Sequence, residues 1–170
     1  MDTPQRKPNR IQNYDYSQNG AYFVTICAQD RKRILSEIVG DGFPVPSPLG
    51  LIAEEFILKI PLKYPAVSVD QYMIMPDHIH ILLRIDIVGE AFRLPNDGTG
   101  NPSPTIGTVI GWYKYQVTKQ INLTCGTFPQ RVFQRSYYDH VIRNQRDYDE
   151  IWEYIENNPR KWVIKEQGSE

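Results

Sequence analysis

The 170 residues are 41% hydrophobic and 23% charged, with a net charge of −1, proportions ordinary for a soluble globular domain able to bury its own core. No apolar stretch reaches the roughly 18 residues of a membrane span, and the polar N-terminus lacks a signal-peptide core. Cys27, in an apolar run, and Cys125, in a loop, suggest neither zinc nor a disulfide framework. These exclusions predict one cytoplasmic domain over residues 1–170 with reduced thiols and no membrane attachment.

Charge is unevenly spread. Arg6, Lys7, Arg10, Arg31, Lys32 and Arg33 outnumber Asp2, Asp15 and Asp30 in residues 1–33, and residues 105–165 are basic as well. Such asymmetry permits a basic face without requiring one.

Residues 1–20, polar and rich in Pro and Asn, read as an N-terminal arm. Residues 21–28, AYFVTICA, are β-branched and aromatic and predict a first strand. Asp30 to Arg33 makes a charged turn, Ile34 to Val39 suits a short strand, and Gly40 to Pro48 reads as loop. Ser47 is a candidate N-cap for a helix in which Leu49, Ile52, Phe56 and Ile60 recur at helical spacing until Pro61. Strands follow at 69–75 and 78–85, joined tightly enough to pair antiparallel.

Residues 86–104, rich in Gly and Pro, read as a long flexible loop. Thr105 opens a second helix to about Asn122, with Ile106, Ile110, Tyr113, Val117 and Ile121 on one stripe. A fourth strand is expected within 131–142, and a last helix from Gln145 to Asn158, stopped by Pro159. The order predicts an α+β fold, a ferredoxin-like (RRM-like) antiparallel sheet with helices packed on one face.

Within the third strand, alternation sends His78 and His80 to one face and Ile79, Ile81, Leu83 and Ile85 to the other. Two imidazoles side by side are a ready pair of metal ligands. In the last helix, Tyr148, Ile151, Trp152 and Ile155 form the apolar stripe, with Tyr154 at its edge and Asn158 one turn further along that edge. A tyrosine is a weak nucleophile at its free pKa, near 10, and would need an electrophile polarised by a metal. Asn158 could supply a third ligand oxygen.

Three blocks carry a resemblance. Residues 72–80, YMIMPDHIH, resemble the histidine–hydrophobe–histidine signature of single-tyrosine HUH transposases. Residues 133–144, FQRSYYDHVIRN, and 154–159, YIENNP, resemble the branch called REP-associated tyrosine transposases. The likeness runs from about Asn13 to Trp162, and the family pattern often has Asn where this chain has Asp77.

The resemblance implies a metal-dependent enzyme that cuts and rejoins single-stranded DNA at hairpins of repeated extragenic palindromes. It implies Tyr154 as nucleophile, forming a 5′-phosphotyrosine, and His78, His80 and Asn158 as ligands of Mg²⁺ or Mn²⁺. Ligand chemistry alone, with two imidazoles, leans toward Zn²⁺ or Ni²⁺. Arg6, Lys7 and Arg10 in the arm, Lys114 and Lys119 on the second helix, and Arg135 and Arg143 beside the aromatic block are expected DNA contacts. The chain would act as a monomer or homodimer.

The alternative is a non-catalytic or domesticated protein that binds single-stranded nucleic-acid hairpins, since ferredoxin-like sheets with exposed aromatics also bind single strands. Histidine phosphoesterases fit less well. Position 82 is Leu where a histidine triad needs its third histidine, and no HxT or HxS pair occurs.

Overall fold

The computed structural model describes residues 19–86, 104–126 and 130–168. Arg6, Lys7 and Arg10, and nearly all of the expected 86–104 loop, lie outside them.

Four strands form an antiparallel sheet. β1 (Gly20–Cys27) pairs on one side with β5 (His78–Ile85) and on the other with β6 (Tyr138–Ile142), while β4 (Val67–Ile74) pairs with β5 at the edge, giving the order β4-β5-β1-β6. The short strand expected near Ile34 is β2 (Ser36–Val39), and it forms a separate hairpin with β3 (Phe43–Pro46). β3 falls inside the stretch read as loop, because Pro44 and Pro46 disguise an extended segment that pairs with β2 alone.

Helix α1 (Pro48–Lys63) starts where Ser47 caps it, the hydroxyl accepting from the Gly50 amide at 3.1 Å. Helix α2 (Ile106–Cys125) opens on a capping box between Thr105 and Thr108. Ala53, Ile57 and Ile60 of α1 and Ile110, Tyr113 and Val117 of α2 bury against Tyr22, Val24, Ile26, Ile79, Ile81 and Leu83. This face is the hydrophobic core, and the expected α+β sheet with helices on one face holds for this pair.

Helix α3 (Gln145–Gln167) lies on the other face, over the side of β5 that carries the histidines. It also outruns expectation. Pro61 and Pro159 both lie within their helices instead of ending them. A proline forfeits one N–H bond and crowds the preceding turn, but Pro159 is buried, and the turn of the β2–β3 hairpin packs on it. A Cβ on Gly42, at φ +112°, would fall 2.8 Å from the Arg160 Cα, so glycine at this turn permits the close approach. At its N-terminal end α3 is tied to the sheet by the Tyr148 hydroxyl, which donates to Asp70 Oδ2 at 2.8 Å, while Arg84 holds the same oxygen at 2.9 Å.

Candidate functional site

The site begins at the two-residue turn Pro76-Asp77 between β4 and β5. The turn closes through the Met75 amide to the His78 carbonyl at 2.9 Å. Its own carbonyls are captured from outside: Leu35 N–H donates to Pro76 and Ala28 N–H to Asp77, at 3.0 and 2.9 Å. The start of β5 is therefore fixed from both sides.

His78 and His80 project onto one face, and their Nε2 atoms stand 3.1 Å apart. Each Nδ1 is already engaged, that of His78 with Asp77 Oδ1 at 2.5 Å and that of His80 with Thr25 Oγ1 at 2.9 Å. The second contact follows from register, since Thr25 lies opposite His80 across the β1–β5 ladder. With both Nδ1 atoms oriented by neighbours, the two Nε2 atoms are the nitrogens left facing each other, and partners of this kind fix the tautomer of metal-binding imidazoles. Two ligands at right angles on one ion, with bonds of about 2.1 Å, would stand about 3 Å apart. The donor set fits a divalent cation.

Burial lowers both imidazole pKa values. For His80 it acts with the neighbouring His78 and with Arg31, and the value falls to about 3. For His78 burial outweighs the opposing pull of the Asp77 carboxylate; Arg31 lowers the value further and the Asn158 side chain raises it slightly. Neutral rings with free lone pairs are the form a metal requires.

Tyr154, 39% exposed, stands with its ring centroid 5.4 Å from that of His80 and edge-on to Phe23 at 5.9 Å. Asn158 and His78 line the same cleft, whose volume is about 810 Å³. The structure thus brings His78, His80, Tyr154 and Asn158 together. Tyr138, a competing tyrosine of the aromatic block, is exposed on the same sheet face but pairs with Thr25 on the far side of β1 from His80.

The expected DNA contacts disperse. Lys114 turns inward, its Nζ donating to the carbonyls of Gln134, Arg135 and Ser136 at 2.6, 3.0 and 3.4 Å, and burial lowers its pKa. Lys119 is exposed on α2, across the sheet from the histidines. Arg135 and Arg143 are exposed at either end of the aromatic block.

Residues not singled out from sequence complete the site. Asp77 and Thr25 orient the imidazoles, and Trp162 lies between the His78 ring, 6.1 Å away, and the Arg33 guanidinium, 5.2 Å away. Lys161 sits 5.2 Å over the Tyr154 ring, and Arg31 stands beside Asp77 at 3.6 Å. The cleft gathers Arg31, Arg33, Lys161 and Lys165 against Asp77 and Glu166, so its charge is positive on balance. Among the described residues no helix is long and apolar enough to cross a membrane.

No family model matches the chain. An uncharacterized protein of Haemophilus influenzae is 33% identical over 167 residues, covering 92% of this chain and 89% of the relative. A second protein of Haemophilus influenzae, named "Putative REP-associated tyrosine transposase", is 26% identical over 162 residues, covering 89% of this chain and 77% of that one. Among solved structures, a REP-associated tyrosine transposase bound to a REP hairpin aligns over 95% of this chain and 74% of its own, with a TM-score of 0.55 and 19% identity, a likeness of fold. Sequence blocks and a named relative agree in their resemblance to REP-associated tyrosine transposases, and a solved member of that family shares the fold of this chain.

Proposed function

We propose that this protein cleaves and rejoins single-stranded DNA next to a hairpin, with Tyr154 as nucleophile. One observation carries the reading: His78, Tyr154 and Asn158 line one positively charged cleft, and the buried His80, its ring 5.4 Å from that of Tyr154, sets its Nε2 3.1 Å from that of His78, the two imidazoles oriented by Asp77 and Thr25. A divalent cation held by His78, His80 and the Asn158 amide oxygen, Mg²⁺ or Mn²⁺, would polarise the scissile phosphate and offset its transition-state charge.

The chain's own groups do the rest. The Tyr154 oxygen loses its proton and bonds to phosphorus, while the bond from phosphorus to the 3′-oxygen breaks. The departing oxygen takes a proton to become a 3′-hydroxyl, and the 5′ end remains on the protein as a phosphotyrosine. The ester conserves the phosphodiester, so a 3′-hydroxyl can reverse the step and join strands. Phe23 and Lys161 flank the Tyr154 ring and hold it at the mouth of the cleft.

The test uses a hairpin oligonucleotide with single-stranded flanks, incubated with Mn²⁺. Wild-type protein should form a covalent adduct that survives denaturation. Tyr154→Phe should abolish the adduct and leave hairpin binding and fold in place, since only a hydroxyl is removed, and Tyr138→Phe should still form it. An adduct that persists in Tyr154→Phe overturns the assignment. Binding without any adduct would favour a non-catalytic hairpin-binding protein.

A further inference from the structure

We infer that Arg31 contacts the scissile phosphate and neutralises its charge in the transition state, an assignment that rests on the cleavage reading above. Three observations converge on this residue. Asp30 and Arg31 both hold left-handed backbone, at φ +56° and +53°. Left-handed backbone is unfavourable for side chains other than glycine, and less so for Asp than for Arg. Such outliers persist where the surroundings over-determine them, and they gather at working sites. Here three backbone bonds fix the turn: Ala28 N–H to Asp77, Gln29 N–H to Val132 and Arg31 N–H to Ala28, at 2.9, 2.8 and 3.1 Å.

The strained turn also puts the guanidinium at the cleft beside the histidine pair. Arg31 Nη1 is 3.6 Å from Asp77 Oδ2, the oxygen next to the one that faces His78. His78 and Arg31 are thus tied through a single carboxylate.

Finally, Arg31 is the least committed guanidinium of the cleft. Arg33 is held by Glu166 at 2.6 Å and packs over Trp162. Arg31 is 52% exposed, and its 3.6 Å contact with Asp77 is longer than a hydrogen bond, so its planar fork of donors faces the cleft with little to break. A fork of this shape matches two phosphate oxygens at once, which a lysine cannot do.

The test is chemical rescue at the phosphate. Arg31→Asn keeps a residue that tolerates left-handed backbone, so the fold should persist, and single-turnover adduct formation should fall about 10²–10³-fold. Arg31→Lys should recover only part of the rate. Replacing one non-bridging oxygen of the scissile phosphate by methyl removes its charge, and with that substrate Arg31→Asn should approach the wild-type rate. Hairpin affinity should change little, because one cation among many is lost. A loss that is equal on charged and neutral linkages, or no loss at all, overturns the role of Arg31 while the Tyr154 adduct of wild-type protein still stands. Failure of wild-type protein to form any adduct overturns both readings together.

Discussion

The Asp77 carboxylate lies 2.5 Å from Nδ1 of His78, and that contact decides which nitrogen of the ring is offered to the cleft. An acceptor there keeps the proton on Nδ1 and makes Nε2 the more basic nitrogen. Asp77→Ala should therefore weaken Mn²⁺ binding about 10–100-fold, read by calorimetry, with little change in fold. Asp77→Asn retains an acceptor and should lose less. Unchanged Mn²⁺ affinity in Asp77→Ala would remove the carboxylate from the site.

Gly42 sets where the tyrosine helix lies. At φ +112° a side chain is strained whatever the space, and a Cβ would meet the Arg160 backbone at 2.8 Å. Gly42→Ala should destabilise the protein by about 2 kcal/mol or more in urea melts and slow adduct formation as α3 shifts. Gly40 is the control. It has φ +56° with nothing within 4 Å of a Cβ, so Gly40→Ala should cost about 1–2 kcal/mol from backbone strain alone and spare the site. Equal effects at the two positions would mean that the packing on Arg160 is unimportant.

Strand alternation made the histidine face legible, and helical spacing placed Tyr154 and Asn158 on one edge. The rest of that edge was hidden by Pro159. Read as a stop, it cut the helix before Lys161, Trp162 and Lys165, which continue the line of Tyr154 and Asn158 at i+7, i+8 and i+11 along α3. The proline is tolerated because Pro159 is buried where Gly42 approaches, a tertiary contact with no local signature. Thr25 was equally hidden, since its role appears only once β1 is paired with β5 in register. Two consecutive left-handed residues at Asp30 and Arg31 leave no mark in composition either.

Acid should unfold the metal-free protein partly through His80. Its pKa is 6.5 in the unfolded chain and about 3 in the fold. Between those values the unfolded state binds the extra proton, so stability rises with pH across the window and is lost as pH falls from about 6.5 toward 3. One proton corresponds to about 1.4 kcal/mol per pH unit at most. His78 is shifted in the same direction. In chelator, wild-type stability should thus fall more steeply below about pH 6 than that of His80→Gln, which has no proton to gain there. Parallel curves for the two proteins would contradict the buried neutral imidazole.

Lys114 and Lys119 separate a structural cation from a surface one on the same helix. The Lys114 ammonium serves three carbonyls of residues 134–136, the segment that leads into β6. Lys114→Met keeps the aliphatic stem and removes the donors, leaving carbonyls in a half-buried setting without a partner. Charge-assisted bonds of this kind contribute about 1.5–3 kcal/mol, and a loss of that size in urea melts is expected. Lys119→Met touches nothing comparable and should stay within about 0.5 kcal/mol of wild type. Neither lysine should set hairpin affinity, because Lys114 is spent on the protein and Lys119 stands across the sheet from the cleft. Each phosphate contact removed would lower the salt dependence of binding by roughly one unit of slope. If Lys114→Met keeps its stability but loses that unit, the ammonium leaves its carbonyls for DNA and belongs to the binding surface after all.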